Sequence, residues 1–271
     1  MAERELDTDG RPISDVGNWH ARKHAILRSY VGICRSVRRK FDTCTYLDPF
    51  SGPGRARVRE TGTIEDGSPL VALAETKRFG APFTQMMLGD IEEDYVDAVV
   101  ARVIEQGGNA IWFKGPATDT VPKMIANLNP RGFHLAFIDP FSLGLLHFDI
   151  IRQLAAVPHL DMLVHVSVMD LARNLDHNIR GDQDRFDVVA PGWRQRVPAG
   201  GSAASRRTAF MGYWVSSIKA LGLRVPPAME IITNAQKGQL YWLALLSHNE
   251  LAEDFWKKIS DAARQSDLFD S

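Results

Sequence analysis

The sequence predicts an α/β fold: a mostly parallel, seven-stranded sheet with helices on both faces. Three observations carry this. Short apolar segments alternate with helical segments through most of the 271 residues. The apolar segments are continuous rather than alternating with polar residues, as in strands buried on both faces. Two late apolar segments are separated only by the short turn AQKGQ, so that pair must be antiparallel.

In chain order, residues 1–14 are polar and of mixed charge, and read as a flexible tail ahead of one domain spanning 15–265. A helix follows, with Trp19, Ala25 or Ile26, Leu27, Tyr30, Ile33 and Val37 at helical spacing. TCTYLD is the first strand. GSPLVALAETKRFG is a helix with Ser68 as N-cap, Pro69 at its first position and Gly80 closing it. FTQMMLGD is the second strand, and the helix after it stops at Gly107-Gly108. AIWFKG is the third strand and TVPKMIANLN a helix; FHLAFIDPF is the fourth strand and HFDIIRQLAAV a helix; DMLVHVSV is the fifth strand. Residues 169–207 hold seven arginines and five aspartates. They read as an insertion over the ends of the strands that recognises substrate or partner, or as a solvated loop. A helix, the antiparallel pair AMEIITN and LYWLALLSH, and a last helix complete the chain. Five parallel strands closed by such a hairpin resemble the Rossmann-like methyltransferases, whose strand order is 3-2-1-4-5-7-6.

Composition narrows the function classes. At 45% apolar and 24% charged residues the chain is of ordinary globular type. No apolar run is long enough to span a bilayer, and the N-terminus is not a signal peptide. Cys34 and Cys44 make neither a disulfide framework nor a metal-ligand spacing, and read as buried thiols in a reducing compartment, with cytoplasm the expected location. His147, His165, His177 and His248 are scattered without zinc-ligand spacing, so no metal is expected. The net charge of −1 hides an asymmetry: residues 22–59 contain ten Lys/Arg against Asp42 and Asp48. Such a basic field suits nucleic acid, or is a solvated helix face.

The chemistry-bearing residues lie at strand exits. After Asp48 the chain runs Pro49-Phe50-Ser51-Gly52-Pro53-Gly54, where glycines let backbone approach a ligand, or simply make a turn. Asp90, followed by Ile91, ends the second strand; its carboxylate suits the two hydroxyls of a ribose, or caps the next helix. After the third strand, Pro116 stands where many methyltransferases carry an acid, so contacts are expected from Ala117 and Thr118, with Asp119 as a substitute. The fourth strand ends in Asp139-Pro140-Phe141, similar to the (D/N/S)PP(Y/F) motif of amine methyltransferases but with one proline. An acceptor such as Asp139 can bond the hydrogens of an exocyclic amine and free its lone pair, while Phe141 stacks on the base. An ordinary Asp-Pro turn is the alternative. Lys23 lies four residues after Trp19, on the same helical face, an arrangement that on composition alone reads as ordinary helix packing with a surface lysine.

Five pieces (NWHARKHAILRSY, YLDPFSGPGR, GSPLVAL, FIDPFSL and LYWLALLSHNELAEDFWKKI) resemble the bacterial three-Cys-motif partner family over about residues 18–260. The resemblance implies a methyltransferase-like fold and a partner protein with a cysteine motif like that of radical S-adenosylmethionine enzymes. A more distant similarity links Lys23-His24, Tyr46-Leu47-Asp48, Gly52-Pro53-Gly54-Arg55 and Asp139-Pro140-Phe141 to bacterial ribosomal-RNA adenine-N6 methyltransferases, which implies Lys23 close to the cofactor. The expected function is therefore S-adenosylmethionine-dependent N-methylation of a nucleic-acid base. Arg55, Arg57, Arg173 and Arg180 are the candidate substrate contacts. A non-catalytic partner subunit and a small-molecule methyltransferase are the alternatives.

Overall fold

The computed structural model describes residues 5–78, 80–226, 230–233 and 239–269, omitting side chains at 230–233, 239 and 262–269. Its elements run β1 (Ser14–Val16), α1 (Trp19–Ile33), α2 (Arg35–Arg38), β2 (Cys44–Asp48), β3 (Arg55–Val58), β4 (Ile64–Asp66), α3 (Ser68–Arg78), β5 (Gln85–Asp90), α4 (Glu93–Glu105), β6 (Ala110–Lys114), α5 (Ala117–Ala126), β7 (Phe133–Ile138), α6 (Phe148–Ala155), β8 (Leu160–Val166), α7 (Val168–Arg180), α8 (Ala203–Ala220), β9 (Glu230–Thr233), β10 (Gln239–Ser247) and α9 (Glu250–Phe269).

The main sheet has the order β6-β5-β2-β7-β8-β10-β9. Counted within this sheet in chain order, that is 3-2-1-4-5-7-6, as expected. β10 pairs antiparallel with both β8 and β9, and the other neighbours are parallel. Alternate strand residues feed two cores. Leu47, Met87, Ile138 and Val164 face the side packed by α5, α6, α7 and α8. Tyr46, Met86, Leu135 and Leu163 face the side packed by α1, α3 and α9. Both faces are apolar, which is why these strands lack a two-residue polarity pattern.

Three expectations are corrected. The helix expected directly after the 1–14 tail begins at Trp19, because Ser14–Val16 pairs in parallel with β3, which pairs in turn with β4 in a small separate sheet. Residues 5–14, read as a loose tail, are tied down. Leu6 and Pro12 form an antiparallel bridge, and Asp9 is gripped by the buried Arg102. The 169–207 segment, read as an open insertion, starts inside α7 and ends inside α8, and buries Phe186, Val189, Ala190 and Trp193 in the core. The antiparallel pair is present, but its connecting turn lies outside the described residues.

Candidate active site

β2 and β7 are neighbours, with Leu47 opposite Ala136, so their Asp-Pro-Phe-Ser exits open side by side at the sheet's switch point. In open α/β sheets ligands bind there, beyond the carboxyl ends of the strands.

At the first exit Asp48 is fully buried. Its carboxylate accepts from Tyr46 Oη at 3.0 Å, Ser68 Oγ at 2.6 Å and Phe50 N at 3.2 Å. Burial raises its pKa to about 7 against the lowering effect of these bonds. Ser68 is thus a partner of Asp48 within the first turn of α3, whose Val71 N bonds Gly67 O. Ser51 is buried, and its N and Oγ both donate to Gly89 O, at 2.9 and 3.1 Å. Pro53 is buried, and its carbonyl accepts from Arg102 Nη1 at 2.6 Å. Asp48 and Ser51 therefore shape the turn from beneath with their side chains, and Pro53 with its carbonyl, leaving the remaining backbone to face the crevice. Phe50 is half-buried against the core.

The two glycines of this turn differ in role. Both have positive φ, +57° at Gly52 and +85° at Gly54. A Cβ at Gly54 would meet Val99 at 2.9 Å, so Gly54 serves the packing of α4. A Cβ at Gly52 would stand in open space, so Gly52 faces the crevice. Gly52 N donates to Asp90 Oδ2 at 3.0 Å, and Glu92 N donates to Asp90 Oδ1 at 3.0 Å. Burial raises the Asp90 pKa. Each oxygen keeps a lone pair for a hydroxyl donor. Ile91 beside it is 67% exposed, an apolar surface at the crevice mouth. Across the crevice Pro116 is exposed at the N-cap of α5, with Ala117 and Thr118 opening the helix. Their N–H groups belong to the unsatisfied first turn.

At the second exit Asp139 is mostly buried, Pro140 is buried, and Phe141 is 97% exposed. Lys23 Nζ from α1 donates to Asp139 Oδ2. His165 Nδ1 from β8 lies 2.8 Å from Oδ1. That approach is off the ring's N–H direction, and neither ring nitrogen of His165 has a hydrogen-bond partner. Burial pushes the Asp139 pKa up, but Lys23 and His165 outweigh it and hold the carboxyl well below its usual range. Behind Lys23, the buried His20 and His24 rings lie 3.9 Å apart, and burial, aided by the Lys23 charge, holds His20 at about 4. The turn after Phe141 is fixed by α7, where Asp170 Oδ2 accepts from Leu143 N at 2.8 Å.

The expected phosphate contacts are mostly occupied. Arg55 pairs with Asp7 at 2.9 Å, Arg57 with Glu5, and Arg180 with Asp182 at 3.1 Å. Arg173 is exposed on α7, with no ion-pair partner among the described residues. Among the described residues no cluster suits a metal ion. Cys34 and Cys44 are free and buried, and burial pushes the Cys34 thiol up to about 12. No helix of the described residues is long and apolar enough to cross a membrane. A 620 Å³ cavity lined by Lys40, Phe41, His159 and Arg224 lies at the opposite end of the strands, away from these groups. Sequence reasoning missed His165, Arg102, His20 and Tyr241. His165 carried one signal: it is the one charged-capable residue inside the apolar run MLVHV.

The fold is that of the class I methyltransferases. No family model matches the chain, and the search of curated proteins gives no match. Among solved structures, a Legionella pneumophila protein of the DUF519 family aligns at TM-score 0.51 and 12% identity, over 86% of each chain. An O-methyltransferase from Bacillus cereus in complex with SAH aligns at TM-score 0.46 and 12% identity, over 88% of this chain and 84% of that one. A dimethyladenosine transferase from Plasmodium falciparum aligns at TM-score 0.38 and 9% identity, over 84% and 62%.

Proposed function

We propose that the protein is an S-adenosylmethionine-dependent methyltransferase acting on an exocyclic amine of a nucleic-acid base. The observation that carries this is the second exit: a mostly buried, ionised Asp139 next to a Phe141 that is 97% exposed, opening beside the Gly52–Asp90 crevice. A large aromatic is left in water only at a cost, and here it stands where an extruded base would stack.

The crevice suits the cofactor. Asp90 would accept from the ribose hydroxyls, Ile91 and the start of α5 would flank the adenine, and Gly52 would let the chain approach. When bound, the cofactor supplies an electrophilic methyl group on a sulfonium. Asp139 accepts hydrogen bonds from the amine and directs its lone pair along the in-line path. Because Lys23 keeps Asp139 ionised, the carboxylate acts as an acceptor and not as a general acid.

The same contact favours a second reading, a methyltransferase-like subunit without activity that docks a three-Cys-motif protein: Lys23 and His165 already occupy Asp139, and two expected phosphate contacts, Arg55 and Arg57, are paired with acids. Membership of the three-Cys-motif partner family rests on the sequence motifs alone. Calorimetry with S-adenosylmethionine and its homocysteine product, followed by labelled methyl transfer to RNA, DNA and small metabolites with and without the partner protein, separates the readings. Cofactor binding with transfer to nucleic acid is expected. Absence of binding overturns the enzyme reading. Asp139→Ala should bind cofactor and lose transfer; retained transfer removes Asp139 from the mechanism.

A further inference from the structure

We infer that His165 is the positioning residue for Asp139, completing with Lys23 a two-sided grip that aims the carboxylate at the incoming amine. The inference rests on the reading of Asp139 as the amine's acceptor.

The sheet register puts the pair together. Ile138 on β7 lies opposite Val164 on β8, so one residue further Asp139 and His165 stand side by side. His165 sits between Val164 and Val166 in a strand buried along its whole length. A histidine there forfeits hydration of two ring nitrogens, which is unfavourable when no bond replaces it. Both nitrogens are buried without a hydrogen-bond partner, and the polar group within reach is the Asp139 carboxylate at 2.8 Å. At that distance a bare Nδ1 beside an anionic oxygen is repulsive even off axis, so the contact calls for a proton on Nδ1.

The ring is held as well as placed. Tyr241 on β10 packs against it edge-on, with centroids 4.1 Å apart and planes at 87°. Tyr241 Oη is itself anchored on the carbonyl of Trp19 at 3.1 Å. Lys23 has four side-chain torsions and fixes one oxygen as a point charge; His165, wedged by Tyr241, fixes the other in a plane. The present off-axis approach becomes a linear bond by a small turn of the carboxylate, the kind of tightening that accompanies substrate binding.

The test has two arms. The first reads the contact without any activity: nitrogen NMR of the His165 ring in the full chain. The ring proton is expected on Nδ1, and Asp139→Asn should shift it toward Nε2. A proton on Nε2 in the wild type, or no response to Asp139→Asn, overturns the inference. The second arm is kinetic. His165→Phe keeps an aromatic against Tyr241 and removes the donor, and kcat should fall about a hundredfold, as for a misaimed reacting group. KM and cofactor affinity should stay within about twofold. His165→Asn, which keeps a short donor, should recover part of kcat. Unchanged kcat in His165→Phe, or equal losses in cofactor binding and kcat, overturns the positioning role. If the ring responds as expected but the wild type transfers no methyl group to any acceptor, the functional reading fails while the contact stands.

Discussion

Asp48 and Asp139 show how one tetrapeptide is put to two uses. Each begins Asp-Pro-Phe-Ser at the end of a central strand. Asp48 is wrapped by neutral hydroxyls and a peptide N–H, and burial wins, raising its pKa from 3.8 to about 7. Asp139 is flanked by Lys23 and His165, and charge wins. This has a consequence for stability. Asp48 holds its proton more tightly folded than unfolded, so its contribution is complete below about pH 4 and is lost as pH rises to about 7. The loss is on the order of 4 kcal/mol as an upper bound. Asp48→Asn does not titrate, so its stability relative to wild type should improve steadily between pH 4 and 7. Urea unfolding at three pH values checks this, and a difference independent of pH would show that Asp48 is ionised throughout. The motif itself was legible in the sequence. The partners that set its electrostatics were not, because Lys23 lies 116 residues before Asp139 and nothing local marks the pairing.

At the scale of elements, the sequence announced what is long and apolar and hid what is short and polar. The strands of the main sheet are continuous apolar runs and were readable; β1, β3 and β4 have three or four residues each, mostly polar or small, and carry no periodic signal. The N-terminal segment looked loose because its fixings come from far along the chain. Arg102 on α4 is the main one. It is 2% exposed, and its guanidinium bonds both oxygens of Asp9 at 2.8 Å and the carbonyls of Pro12 at 2.9 Å and Pro53 at 2.6 Å. One planar fork thus joins the N-terminal segment to the glycine turn. Arg102→Ala leaves the Pro12 and Pro53 carbonyls without their donor and Asp9 with Arg11 alone, and should cost about 1–3 kcal/mol. The glycine turn would loosen with it, so cofactor affinity should fall alongside the melting temperature, and amide hydrogen exchange across residues 5–14 should speed up. Arg102→Lys cannot make four bonds and should rescue only part of the loss. Wild-type cofactor affinity in Arg102→Ala would show that the turn holds its shape without the staple.

Across the whole molecule, the +8 run of residues 22–59 does not translate into an open basic face. Lys23 is spent on Asp139, and Arg38 is buried on the carbonyls of Val31 and Ala81. Arg57 and Arg55 are met by Glu5 and Asp7, residues that precede the run and are absent from any local charge count. A sequence tally of charge therefore overstated the field, since it cannot see which cations are neutralised by folding. The Arg57–Glu5 pair is partly open to solvent, and such pairs contribute little to stability; in the other pair the Asp7 side chain is covered. A polyanion can compete for these arginines, so the acidic segment acts as a modest brake on nucleic-acid binding and not as a seal. The double variant Glu5→Gln, Asp7→Asn removes the nearest competitors and leaves both arginines in place, Arg55 keeping only its longer 3.5 Å contact with Asp66. Filter binding or fluorescence anisotropy with single-stranded RNA over a range of salt should then show tighter binding. The plot of log K against log salt should steepen by roughly 1.5 for two added phosphate contacts. Glu5→Gln alone should leave cofactor affinity unmoved, because Glu5 pairs with Arg57 away from the Gly52–Asp90 crevice, whereas Asp7 also lies 3.8 Å from the Arg102 fork. An unchanged slope would mean that β3 never meets a phosphate backbone, and would place the nucleic-acid path, if the substrate is one, along α7 and Arg173 instead.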